Sequence, residues 1–188
     1  MATTLGAGYD KNVQDGIAGS GEARGMSEAM TAALTAERAG DVKDLYGALV
    51  GTWDVDNRYL DEDTGTWRAG TVVWIFGRVL AGQGVHDVMW FTDSDGSRAT
   101  GSTMRLYDPA ADVWHVVWFS PQGTVTSLDG RPGDHGDIVQ DGRRGNGKPI
   151  RWLFTEMTGT SFRWLGYVSD DDGATWRLEQ EMLARRRT

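Results

Sequence analysis

Thr103-Met104-Arg105-Leu106-Tyr107-Asp108-Pro109-Ala110-Ala111-Asp112-Val113-Trp114-His115-Val116-Val117-Trp118 is the stretch whose reading decides the fold class. Two runs rich in β-branched and aromatic residues flank Asp108-Pro109-Ala110-Ala111-Asp112. That interruption has the chemistry of a turn: aspartate hydrogen-bonds its own backbone, and proline presets φ. The stretch therefore reads as a hairpin, with strands at 99–108 and 112–119.

The same texture continues in both directions. After Gly51, short runs of Val, Thr, Trp, Phe and Tyr are separated by Gly/Asp/Asn clusters at a spacing of roughly 8 to 12 residues, as in all-β barrels and sandwiches. Further strands are predicted at 51–60, 66–78, 82–92, 123–129, 136–142, 149–157, 161–168 and 175–184. The clusters Asp61-Glu62-Asp63-Thr64-Gly65, Asp93-Ser94-Asp95-Gly96 and Arg144-Gly145-Asn146-Gly147 carry suitable turn residues. Ten antiparallel strands in sequence order predict an all-β, up-and-down closed barrel over 50–188. Upstream, residues 1–25 read as a tail or strap, because Leu5, Tyr9, Val13 and Ile17 recur every four positions among helix-weakening glycines. Residues 26–49 read as short helices, one opening at Ser27 and one at about Asp41 to Leu49.

Composition narrows the function classes. The chain has 188 residues, which suits one domain with its own core. Nine tryptophans are many rings for so small a body and favour a hollow, ring-lined barrel over a helical bundle. A formal charge of -8 disfavours nucleic acid or an anionic membrane as partner. Cysteine is absent, which excludes disulfides, thiolate catalysis and zinc-thiolate sites. No run approaches the roughly 18 to 20 apolar residues of a membrane span. The polar start Met1-Ala2-Thr3-Thr4 lacks a signal peptide's order, so a soluble, cytoplasmic protein is expected.

Some segments carry a family resemblance. Leu49-Val50-Gly51-Thr52-Trp53 resembles the Gly-x-Trp opening of lipocalins and other calycins. From about Leu45 to Arg187 the chain is similar to bacterial lipocalin-like domains of unknown function in the calycin group. The matching segments are Thr103–Pro109, Trp114–Trp118, Ile150-Arg151-Trp152-Leu153-Phe154 and Ser161-Phe162-Arg163-Trp164. The resemblance implies a barrel with an internal cavity and with short helices and Trp53 closing one end. It also implies an arginine, Arg105 or Arg151, packed over that tryptophan. It implies no single chemistry, since such barrels serve ligand transport, haem binding and cofactor-free cyclisation. Nitrobindin-like haem barrels continue the opening with further glycines, whereas Asp54-Val55-Asp56 follow Trp53 here, so no haem or other cofactor is expected. Ser169-Asp170-Asp171-Asp172-Gly173-Ala174-Thr175-Trp176 fits the Asp-box pattern and reads as a structural turn with Trp176 directed inward.

Side chains alternate across a strand, so each strand offers two faces. On the last strand Trp176, Leu178, Gln180 and Met182 form the apolar face expected inside, leaving Glu179 and Glu181 to solvent. Pairing across the turn brings Phe162 and Trp164 inward, and Trp53 brings Asn57 and Tyr59. In the middle strands both faces are apolar, so either His86 with Trp90 or Asp87 with Met89 is inside. The same choice stands between Trp114, Val116, Trp118 and His115, Val117, Phe119.

Two functions compete. In the first, the barrel binds a small apolar or aromatic molecule among Asn57, Tyr59, Phe162, Trp164, Trp176, Leu178, Gln180 and Met182. In the alternative it is a cofactor-free cyclase, isomerase or lyase of secondary metabolism, with His86 and His115 moving protons and Arg105 and Tyr59 stabilising charge. The second requires His86, His115 and Arg105 to face inward together. No metal is expected, because no His-x-His or His-x-x-x-His pair seeds a site. A homodimer formed through the N-terminal 40 residues is compatible with either function.

Overall fold

The computed structural model describes residues 43–188. The expected tail at 1–25 and the helix opening at Ser27 lie outside the described residues. Ten strands follow in order: β1 (Gly51–Asp61), β2 (Thr66–Val79), β3 (Gly84–Asp93), β4 (Arg98–Asp108), β5 (Val113–Phe119), β6 (Val125–Pro132), β7 (Ile138–Arg143), β8 (Pro149–Thr155), β9 (Ser161–Val168) and β10 (Arg177–Arg186). Each pairs antiparallel with its sequence neighbours, and β10 pairs with β1 to close the barrel. Closure removes the unpaired sheet edges that an open ten-stranded sheet would expose.

All ten predicted strands are present, with shifted ends. β10 starts two residues later than predicted because Ser169–Trp176 is consumed by a turn. Ser169 Oγ accepts from Gly173 N at 2.7 Å, and Asp171 accepts from Thr175 N at 2.7 Å. The helix expected at about Asp41 to Leu49 is, among the described residues, only a 3-10 turn at Gly47–Leu49. It ends against Gly51, whose φ of +135° carries the chain straight into β1. Among the described residues no helix is long and apolar enough to cross a membrane.

One barrel end is plugged by this turn. Tyr46 and Leu49 are fully buried there, with Trp53, Phe76, Phe154 and Phe162. Trp53 meets Phe162 edge-on at 4.7 Å, and Tyr46 meets Trp114 edge-on at 5.1 Å, the geometry that aromatic quadrupoles favour. Trp53 Nε1 donates to Leu49 O at 2.7 Å, so its buried N–H is satisfied.

The arginine over Trp53 is neither Arg105 nor Arg151 but Arg186, 4.1 Å from the ring centroid. Its guanidinium donates to Val50 O, Ala48 O and Gly159 O, each at 2.8 Å, which ties the end of β10 to the plug. A Cβ at Gly51 would collide with this guanidinium, so steric room as well as the positive φ requires glycine there. Arg185 and Arg187 pair with Asp56 and Asp54 on the outer face of β1.

Candidate functional site

Which face of each middle strand is inside follows from one ion pair. Asp87 on β3 stands directly across from Thr103 on β4, and Arg105 is two positions farther along the same face. Arg105 Nη1 donates to Asp87 Oδ2 with both side chains at most 1% exposed, and Thr103 N donates to Asp87 Oδ1 at 3.2 Å. The guanidinium also lies over the rings of Tyr46, Phe76 and Phe154 at 5.0, 5.5 and 5.8 Å. An isolated charge in this interior would be prohibitive, and each partner makes the other tolerable. Burial pushes the Tyr46 hydroxyl far above its usual range, against the pull of Arg105.

With Asp87 and Met89 inside, His86 and Trp90 are outside. His86 Nε2 is 2.6 Å from Ser102 Oγ, and Ser102 Oγ in turn donates to Asp87 O at 2.9 Å. His115 is 54% exposed and stands 3.4 Å from both Asp108 and Asp129. The inward cluster of His86, Arg105 and His115 that the catalytic alternative requires therefore does not assemble: only Arg105 faces the interior. The physical reason is that the buried cation is balanced by a carboxylate from the adjacent strand, which turns the neighbouring histidine outward.

The interior void lies between the plug and the opposite end, where the five turns after β1, β3, β5, β7 and β9 gather. Its floor is Trp74, Thr103 and Arg105, all buried, and half-buried Phe91, Trp118 and Trp152 stand nearer the turns. Met89, Met182, Trp164 and Gln180 complete the wall. The space open to the centre of a water molecule is about 70 Å³, room for several waters or for part of a ring-sized molecule reaching toward the turns.

Rings form an arc along this wall. Phe91 and Trp118 are 6.4 Å apart, Trp118 and Trp152 6.4 Å, and Trp152 and Trp164 5.6 Å. Trp118 lies across Gly101 of β4, where any Cβ would run into the indole. A glycine in mid-strand, which alone would weaken the sheet, thus provides the seat of a cavity ring.

Of the sequence-predicted ligand residues, Trp164, Gln180 and Met182 line the void. Asn57 is buried behind Gln180 and accepts from its Nε2 at 2.9 Å. Phe162 packs with Trp53 and Trp74 in the plug. Tyr59 is half-buried near the turns and donates to Asp93 Oδ2 at 2.9 Å. Burial first, and then the Asp93 carboxylate, raises the pKa of that hydroxyl.

Trp176 and Leu178 are corrections. The β10 register slips between Leu178, opposite Tyr167, and Gln180, opposite Gly166, which makes Glu179 the extra residue of a bulge. The slip puts Leu178 in the outward row with Tyr167 and Arg151, and Trp176 lies 4.7 Å beneath the Arg151 guanidinium. Glu179 and Glu181, expected in solvent, are both buried under arginines. Arg144 pairs with Glu179 while its other nitrogen donates to Glu62 Oε1 at 2.9 Å. Burial raises the pKa of Glu179 despite Arg144. Burial acts in the same direction at Glu181, but hydrogen bonds from Arg163 and Arg58 outweigh it and hold that carboxyl low.

Of the remaining lining residues, Met89 and Trp118 belong to alternatives that the sequence left open, and Trp74, Phe91, Thr103 and Trp152 were not assigned to the lining. Trp118 shares its face with Trp114 and Val116, but the opposite face of β5 is equally apolar, so alternation carried no preference.

No protein-family model matches this sequence, and no curated protein matches it. Among solved structures, the chain is similar to the S-type phycobiliprotein lyase CPES from Guillardia theta, with a TM-score of 0.56 and 9% identity over 77% of this chain and 92% of that one. At that identity the likeness is one of fold, that of a closed antiparallel up-and-down barrel, which supports a lipocalin-like architecture.

Proposed function

We propose that this barrel binds a small aromatic or apolar molecule in the void between Trp118, Trp152 and Trp164. The observation that carries this reading is the arc of rings around a void that the described residues leave open, with few polar groups on its lining, Thr103 and Arg105 at the floor and Gln180 on the wall, the usual build of a small-molecule pocket. A core evolved for stability alone would be packed to close contact, because voids forfeit dispersion contacts. The fold neighbour is a lyase, and barrels of this shape are therefore compatible with catalysis. With both histidines on the outer surface, however, the cyclase, isomerase or lyase alternative lacks its proton-transfer pair, and binding is the better-supported reading.

The test is titration of the protein with one-ring aromatics, followed by tryptophan fluorescence and calorimetry. Four of the nine tryptophans, Trp74, Trp118, Trp152 and Trp164, border the void, so occupancy should quench emission saturably. Trp152→Ala should weaken binding severalfold, whereas Trp90→Ala, on the outer face, should leave it unchanged. Equal effects of the two substitutions, or no saturable quenching, would exclude the cavity as the site.

A further inference from the structure

At the end where the five turns gather, three strands run past their next neighbours. Residues 66–69 of β2 extend beyond the pairing with β3, residues 98–101 of β4 beyond the pairing with β5, and residues 125–127 of β6 beyond the pairing with β7. Each overhang leaves a short strand edge without a backbone partner. Side chains close the first two. Across the first, Tyr59 donates to Asp93 Oδ2 at 2.9 Å and Arg68 Nη2 donates to Asp95 Oδ2 at 3.5 Å. Across the second, the Trp118 indole lies on Gly101 and meets Phe91 edge-on. The turns farther round are tied as well: Arg143 to Asp172 at 2.8 Å, Lys148 to Asp170, and Arg144 to Glu62 of the β1–β2 turn at 2.9 Å.

The third overhang is different. Among the described residues, no side-chain hydrogen bond or ion pair joins the β5–β6 turn or residues 125–127 to the β7–β8 turn. Ser120 and Thr124 bond each other, and Ser120 O accepts from Gly123 N within the same turn. A surface tie is weak singly, but parting any other pair of hairpins breaks at least one contact of this kind, and parting this pair breaks none.

The void lies directly behind this seam. Trp118 stands on β5 opposite Thr126, and Trp152 stands on β8 opposite Gln140, so the two indoles flank β6 and β7 and meet edge-on at 6.4 Å. The inward positions between them toward the turns are Thr126 and Gly142, one with a short side chain and one with none. On the outer side of the same hairpin, Phe119 and Val125 are 49% and 57% exposed, an apolar threshold beside the seam.

We infer that an apolar ligand enters and leaves the void sideways, through the seam between the β5–β6 and β7–β8 hairpins, with Trp118 as its inner door. This rests on the binding reading above and adds the route to that site. The β5–β6 hairpin tilts outward, carrying Trp118 off Gly101 and away from Trp152, while the other four turns, tied to one another, hold their places.

The chain has no cysteine, so a disulfide can be placed across this seam alone. Leu128 pairs with Gly142, and the antiparallel register therefore sets Ser127 opposite Arg143, within the span that a disulfide bridges. In the full chain carrying Ser127→Cys and Arg143→Cys, stopped-flow tryptophan quenching by acetophenone gives both rate constants, oxidised and reduced. Oxidation should slow association and dissociation alike by at least about tenfold and change Kd by less than about twofold, because a locked door alters the barrier and neither end state. Reduction should restore both rates. Trp118→Phe should quicken both rates severalfold, whereas a ring that is only wall would change dissociation alone. Arg68→Ala, which unties the β1–β2 and β3–β4 hairpins, should change neither rate.

Equal association rates in the oxidised and reduced protein, unchanged association in Trp118→Phe, or faster association in Arg68→Ala would overturn the route while leaving the cavity a binding site. A cysteine pair that does not oxidise would show that the two edges do not face each other, and would overturn the route with them. No saturable quenching of the wild-type protein by acetophenone would overturn the binding reading and the inference together.

Discussion

Arg105→Met tests the feature on which the inner architecture depends. Methionine keeps most of the length of the arginine stem and can still pack against Tyr46, Phe76 and Phe154, so the substitution mainly removes charge. Asp87, with 0% side-chain exposure, is left with the Thr103 N–H at 3.2 Å as its remaining bond. Breaking a buried pair from one side costs about 3 to 5 kcal/mol, a large share of the roughly 5 to 15 kcal/mol that a domain has in total. Removing both partners is different. Arg105→Met with Asp87→Leu leaves no buried charge and should recover most of the loss, to within about 1 to 2 kcal/mol of wild type. Urea unfolding followed by tryptophan fluorescence measures all three proteins, and equal denaturant slopes confirm that the same surface unfolds in each. The reasoning fails if Arg105→Met costs less than about 1 kcal/mol, or if the double variant is as unstable as the single one.

Two further outcomes follow from the barrel ends. Arg186→Ala removes three carbonyl contacts and the face of Trp53, and should lower stability by about 1 to 3 kcal/mol in the same unfolding assay. Arg186→Lys should restore less than half of this, because one ammonium cannot serve three separated carbonyls while lying flat on an indole; full rescue would reduce the role of Arg186 to charge alone. At the opposite end, hydrogen bonds from the Thr175 side chain, the Thr175 backbone and Ser169 hold the Asp171 carboxyl down to about 2. A carboxyl held lower in the folded than in the unfolded chain contributes stability that is present above its ordinary value and is lost as pH falls from about 4 toward 2. Asp171→Asn should flatten that part of the acid limb in urea midpoints taken against pH, and an unchanged acid limb would contradict the assignment.

Strand positions were legible because two local signals agree. Turn residues at Asp61–Gly65, Asp93–Gly96 and Asp108–Asp112 bracket the strands, and β-branched and aromatic residues fill the runs between them. Facing was legible only where one side of a strand is charged. On β1, Asp54, Asp56 and Arg58 mark the outside, so Trp53, Val55 and Asn57 are recognisably inside. On β3 and β5 apolar groups populate both sides, and a histidine in each outer row resembles a site residue as much as a surface one. On β10 the alternation itself misled. One extra residue at Glu179 reverses the faces of everything before it, and a bulge leaves no mark in a period-two pattern until the partner strand is known.

The sequence by itself determined an all-β chain of ten antiparallel strands and an interior rich in rings, because turn chemistry and β-propensity act over a few neighbouring residues. Only the tertiary structure decided which rings border the void, that Arg186 covers Trp53, and that Arg105 meets Asp87 rather than two histidines. Those facts depend on cross-strand register and on closure of β10 against β1, which bring together residues more than a hundred positions apart, such as Asn57 and Gln180. A buried charge must be matched by whatever the neighbouring strand offers at that height, and no local pattern along one strand encodes what stands opposite.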